Sequence, residues 1–136
     1  MIKVAMIRTL LFAILAAPII ALGQAWPSKP IRLVVPYPPG GSTDLLARTI
    51  GVKVGEALGQ QIVVDNRAGA GGMLGSDIVA RAAPDGYTIL LGTGATHGLT
   101  LLLSKTIPYD PVKDFTPITA AVEVPIILCV NPSIPV

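Results

Sequence analysis

Apolar and polar positions alternate in short blocks along the chain. The first block after residue 30 is Ile31 to Val35 (IRLVV), a nearly continuous apolar run closed by Pro36-Tyr37-Pro38-Pro39-Gly40-Gly41. This is the pattern of a buried strand entering a rigid loop. Apolar residues then recur three or four apart at Ala47, Ile50, Val54 and Leu58, which predicts a helix capped by Ser42 or Thr43 and stopped by Gly59. The unit repeats: Gln61 to Asp65 (QIVVD) as a strand, a glycine-rich loop over 66–72, and a helix from Met73 to Ala82 turning Leu74, Ile78 and Val79 inward. After a turn at Pro84-Asp85-Gly86, Tyr87 to Leu91 predicts a third strand. A small-residue loop, Gly92 to Thr96, and a weaker helical stretch from His97 to Ser104 follow. Beyond Lys105 the prolines Pro108, Pro111 and Pro117 break any long helix, and the apolar runs Ile118–Val122 and Pro125–Val130 predict further strands. Strands alternating with helices imply the α/β class: a parallel sheet with helices on both faces. The proline-rich exit from the last run, Asn131 to Val136, normally leads into another element, so the chain is expected to be the first part of a longer one with an incomplete first domain.

The first residues change the picture of where this protein works. Lys3 and Arg8 precede an uncharged apolar stretch from Thr9 to Leu22, followed by small residues at Gly23 and Ala25, the layout of a secretory signal peptide over residues 1–25. The apolar core is too short to cross a bilayer comfortably, and Trp26-Pro27 stands where a stop-transfer cluster would lie, so removal is expected; an uncleaved anchor is the other reading. The whole chain carries a formal charge of +2 and a pI near 8.9. Loss of Lys3 and Arg8 from ten basic side chains leaves eight to balance eight acidic ones. The remaining basic residues stand singly and make no stripe, which argues against a nucleic acid partner. Cys129, alone in the chain, has no internal disulfide partner and reads as a small buried apolar residue.

Ligands of open parallel sheets bind at the carboxyl ends of the strands, in the loops that lead into helices. All three such loops here are built of small residues. Glycine lets backbone approach a ligand, and free N–H groups at a helix start favour an anion, so the loops before Thr43, Met73 and His97 together suggest a carboxylate cradle; the other reading is that the glycines only tighten turns. Tyr37, between prolines, either aims its ring over a ligand or packs on the next helix, and Asp44 either complements the helix dipole or meets a ligand amine or hydroxyl. His97 is read as a cap or solvated side chain, a ligand contact, or a general base. Enzyme signatures are missing. Gly69-Ala70-Gly71 lacks the third glycine of the dinucleotide fingerprint, with Gly75 one place late, and Gly92-Thr93-Gly94 has His97 where that glycine would fall. There is no Walker A sequence, no nucleophile elbow, and a single histidine cannot build a histidine-rich metal site. No cofactor is therefore expected.

Three segments in order, WPSKPIRLVVPYPPGGSTDLLAR, VVDNRAGAGGMLGSDIVARAAPDGYTILLGT and PYDPVKDFTPIT, closely resemble the Bug family of periplasmic solute-binding proteins, the receptors of tripartite tricarboxylate transporters. The resemblance covers residues 26–136. It implies a periplasmic-binding-protein-like fold whose two α/β domains close on a small carboxylic acid, held through backbone amides and ordered waters, with no catalysis and no cofactor. Carried over, ligand binding falls on Tyr37, Pro38, Pro39, Gly40, Gly41, Ser42, Thr43 and Asp44 in the first loop, on Ala68, Gly69, Ala70 and Gly71 in the second, and on Thr93, Thr96 and His97 in the third. After Gly94 the stretch HGLTLLLSKTIPYD departs from the family's usual Asn-containing sequence. The implied partners are a small carboxylate and membrane transporter subunits, the implied compartment is the periplasm, and the folded chain is expected to be a monomer. Two other readings stand beside this one: a truncated, non-functional fragment, and a Rossmann-like nucleotide-binding enzyme.

Overall fold

The structure is a computed structural model that describes residues 25–125, 127 and 129–134. The expected leader lies almost wholly outside these residues. Three parallel strands form one sheet: β1 (Ile31–Val35), β2 (Ile62–Asn66) and β3 (Thr88–Leu90), in the order β2-β1-β3. β1 is the central strand and the most apolar, with Val34 and Val35 fully buried. Its register pairs Ile31 with Ile62 and Val35 with Asn66 on one side, and Arg32 with Thr88 on the other. β3 is two residues shorter than expected, although the Tyr87 carbonyl and the Leu91 N–H still bond to Arg32 and Val34 across the sheet.

Helix α1 (Ser42–Leu58) joins β1 to β2, and helix α2 (Met73–Ala80) joins β2 to β3 across β1. Two right-handed crossovers running in opposite directions along a sheet place their helices on opposite faces. The packing agrees. Leu33 and Val35 form a core with Ala47 of α1, joined by Ile62, Val64, Ile89 and Leu91, while α2 lies against Pro36, which has the parity of Val34. Helices therefore lie on both faces, as the alternation of elements predicts.

Local corrections follow from chemistry the periodicity does not carry. The cap of α1 is Gly41, not Ser42 or Thr43, and no side chain caps it; instead Asp44 reaches back from the first turn to accept the Gly40 N–H at 2.9 Å. Gly59 stops α1 as expected, in the left-handed conformation at φ 66°. Helix α2 ends at Ala80 rather than Ala82, and its inward face is made by Gly75 and Ser76, whereas Leu74, expected inward, is 50 % exposed. The third helical stretch begins earlier than His97, as a π-helical turn over Ala95–Leu99 that runs into α3 (Thr100–Leu103).

The two strands expected at Ile118–Val122 and Pro125–Val130 do not form among the described residues. Apolar content favours a strand only where a neighbour pairs its backbone. Among the described residues the segment pairs with no strand, and Ile118 is 79 % exposed, with Val124 and Ile127 similarly open. Cys129, expected to be buried, is exposed for the same reason.

Candidate functional site

The carboxyl ends of β1, β2 and β3 lead into three loops that meet above the sheet. Asn66, the last residue of β2, donates from Nδ2 to the Tyr37 carbonyl at 3.1 Å and so ties the second loop to the first. The Tyr37 hydroxyl lies 2.8 Å from the Thr93 hydroxyl and ties the first loop to the third. Gly72 completes the junction: a Cβ there would come within 2.6 Å of Thr96 Cγ2 and 3.5 Å of the Tyr37 hydroxyl, so only a glycine lets the second loop close on the other two.

Around this junction the backbone is left open. Residues 38–42 and 67–71 are exposed, with Tyr37 and Thr43 half-buried between them. The first N–H groups of α1 have no partner within the helix, and helical geometry aims them out of its N-terminus. The second loop is held in an uncommon shape: Ala70, Gly71 and Gly72 have φ of 48°, 68° and 97°. Ala70 pays a steric cost there that its glycine neighbours do not.

The third loop is braced by its own side chains. Thr96, fully buried, accepts the Thr93 N–H at 2.9 Å and donates to the Thr93 carbonyl at 3.0 Å, while the buried Tyr109 hydroxyl donates to the Thr96 carbonyl at 2.7 Å. His97 packs against the third loop. Its ring covers Gly92 and stacks edge-on to Phe115 at 4.8 Å beside Tyr109, with Nδ1 2.8 Å from the Thr96 hydroxyl. Burial holds its pKa below the ordinary histidine value, so the ring is neutral near pH 7. A neutral, packed imidazole braces this loop.

Asp44 is only 4 % exposed at the base of the first loop. The hydrogen bond from Arg48, followed by the Gly40 N–H, lowers its pKa from 3.8 to about 2. Its other oxygen, Oδ1, sits 3.1 Å from Arg48 Nη2 without hydrogen-bond alignment. Because the folded pKa lies below the unfolded one, the stability this carboxylate contributes is complete above pH 3.8 and is lost as pH falls toward 2. Thermal melts across that window are expected to fall more steeply for the wild type than for Asp44→Asn. Lower on the sheet, burial raises the pKa of Asp65, but the guanidinium groups of Arg32 and Arg67 outweigh it and hold the carboxyl below its ordinary value.

The structure thus brings Tyr37, Thr93 and Thr96 together, sets residues 38–43 and 68–71 around them as open backbone, and packs the side chains of Asp44 and His97 against the first and third loops. Sequence reasoning missed Asn66, Gly72, Tyr109 and Phe115. Asn66 had a signal in its place at the end of a strand; the aromatic pair had none. Tyr37→Phe, which removes the hydroxyl link between the first and third loops, is expected to cost roughly 0.5–1.5 kcal/mol in a denaturant titration. A surface concavity of about 700 Å³ lies along β2 between Gly51, Gly55 and Gln60–Val64. It is an open groove at the sheet edge, and Arg48, which bonds Asp44 and Asn66, lies on its wall.

A parallel α/β unit with its connecting loops gathered at the strand ends is the arrangement this chain shares with part of a solved periplasmic transporter, at 48 % identity and a TM-score of 0.63 over 65 % of this chain and 30 % of that one. The chain belongs to the tripartite tricarboxylate transporter family receptor family (TctC), whose pattern matches residues 46–136. It is 44 % identical over 121 residues to Protein BugT of Bordetella pertussis, covering 88 % of this chain and 36 % of that protein. It is 48 % identical over 109 residues to a Pseudomonas sp. protein from the tcbD-tcbE intergenic region, covering 79 % of this chain and 32 % of that one. Among solved structures it resembles MatC from Rhodopseudomonas palustris with bound malate, at 44 % identity and a TM-score of 0.66 over 68 % of this chain and 31 % of that one. It also resembles an R. palustris protein solved with adipate, at 43 % identity and a TM-score of 0.61 over 63 % and 29 %. The chain spans about a third of the length of the relatives it matches.

Proposed function

We propose that this chain supplies the first ligand-receiving loops of an extracytoplasmic receptor for a small carboxylate, which it passes to membrane transporter subunits or senses without chemical turnover. The observation that carries the reading is the three-loop junction at Tyr37, Gly72, Thr93 and Thr96, with open backbone at the start of α1 beside it. Backbone N–H groups in that position favour a carboxylate, and the relatives solved with malate and adipate support an acid of that size. The binding residues are Tyr37, residues 38–44, residues 68–71, Thr93 and Thr96, with His97 acting through Thr96. Residues 1–25 are the exported leader and residues 26–136 the binding part, working in the periplasm as a monomer.

A thermal melt of the full chain against malate, adipate, citrate and an aromatic acid, with NAD as control, tests this. A Tm that rises with the concentration of one acid, as mass action requires, supports the reading, and a rise with NAD alone favours a nucleotide site. Unchanged Tm with every acid, in a chain that melts cooperatively, removes carboxylate binding by this part alone.

A further inference from the structure

At the end of the sheet opposite the ligand loops, the residues just before β1 are fastened to the turn just before β3. Trp26 Nε1 donates to the Asp85 carbonyl at 3.2 Å, and the indole rests on Gly86, where a Cβ would come within 3.1 Å of Cζ2. Gly86 has φ of 79°, so the turn and the indole seat both require a residue without a side chain. The Ser28 N–H donates to the Tyr87 hydroxyl at 2.9 Å, and the two hydroxyls lie 3.2 Å apart. Lys29 Nζ sits 4.2 Å above the Tyr87 ring and 3.9 Å from Asp85. Tyr87 thus takes a hydrogen bond at its oxygen and a cation on its face. Four consecutive residues, 26–29, are tied at every position but Pro27, whereas Ala25 is exposed and none of these contacts holds it.

A peptidase needs several residues of free, extended chain in its cleft, so cleavage of a folded protein follows the population of locally opened chain. Trp26 is 53 % exposed, so the clasp is a surface fastening rather than part of the core. We propose that residues 26–29 form a clasp that sets the amino-terminal end point of the exported protein: trimming of the folded chain halts at Trp26. The peptidase hydrolyses the bond before Trp26 with one water, freeing the Ala25 carboxylate and the Trp26 ammonium, and advances no further while the clasp holds. This rests on the reading of residues 1–25 as an exported leader.

The test exports the full chain from a Gram-negative host, incubates the recovered protein with a broad-specificity aminopeptidase, and follows intact mass. Trp26 is the one tryptophan, so its emission reports the clasp separately. Wild type and Pro27→Ala are expected to halt at Trp26. Tyr87→Phe, which loses the oxygen that Ser28 uses, is expected to be trimmed past Trp26 roughly tenfold faster, the loss of about one hydrogen bond from the closed state. Gly86→Val is expected to be trimmed faster still, with red-shifted emission. If Pro27→Ala is trimmed as fast as Gly86→Val, the proline alone blocks the enzyme and the clasp is refuted. Equal resistance of Tyr87→Phe and wild type refutes it as well, and Tyr87→Phe decides the matter if circular dichroism shows Gly86→Val unfolded. A precursor recovered with Met1 would overturn the leader reading alone, since the halt at Trp26 would still be read on that chain.

Discussion

Gly72→Ala is expected to destabilise the chain by roughly 2–5 kcal/mol, the sum of a side chain forced to positive φ and an overpacked contact. The backbone at Gly72 has φ of 97°, a conformation that residues with a Cβ rarely adopt. The added Cβ would lie 2.6 Å from Thr96 Cγ2. Thr96 cannot give way cheaply, because its hydroxyl is held by Thr93 and its carbonyl by Tyr109. Relief must come from opening the second loop away from the third, and that separates the walls of the proposed carboxylate shelf. Denaturant midpoints measure the first effect and acid-induced shifts in Tm the second; a variant as stable as the wild type would mean that the loops do not close on one another as described.

Gly75→Ala is expected to cost about 1–3 kcal/mol and, unlike Gly72→Ala, to act through the backbone of two loops at once. A Cβ at this point in α2 would sit 2.9 Å from the Arg67 carbonyl oxygen and 2.9 Å from both Cα and Cβ of Pro36. None of these is the tip of a flexible side chain, so α2 itself must move outward. Pro36 is fully buried and directly precedes Tyr37, so the shift reaches the Tyr37–Thr93 bond. Combining Gly75→Ala with Tyr37→Phe should therefore cost less than the two single changes added together, because the first already weakens what the second removes.

Most of the architecture was legible along the chain. β1 was delimited to the residue, α1 nearly so, and β2 to within one position, because each is an apolar run or a three-to-four repeat closed by proline or glycine. The placement of the three candidate loops followed from that order alone, since strands alternating with helices put their connecting loops at the carboxyl ends of a parallel sheet. What sequence could not reach was every feature that depends on a partner distant in the chain. Leu74 looked inward by periodicity, yet the closeness of α2 to Pro36 gives the inner face to Gly75 and Ser76. The runs at Ile118–Val122 and Pro125–Val130 have strand composition, but a strand exists only when a neighbour accepts its backbone hydrogen bonds, and none does so here among the described residues. His97 stood in a glycine-rich loop and looked available for chemistry, while Phe115 and Tyr109, 18 and 12 residues further on, enclose it as a brace. Local pattern therefore determined the strands and helices between residues 31 and 90 and where the loops between them lie. The tertiary structure alone decided which loop residues touch, because those contacts join positions whose separation no periodicity records.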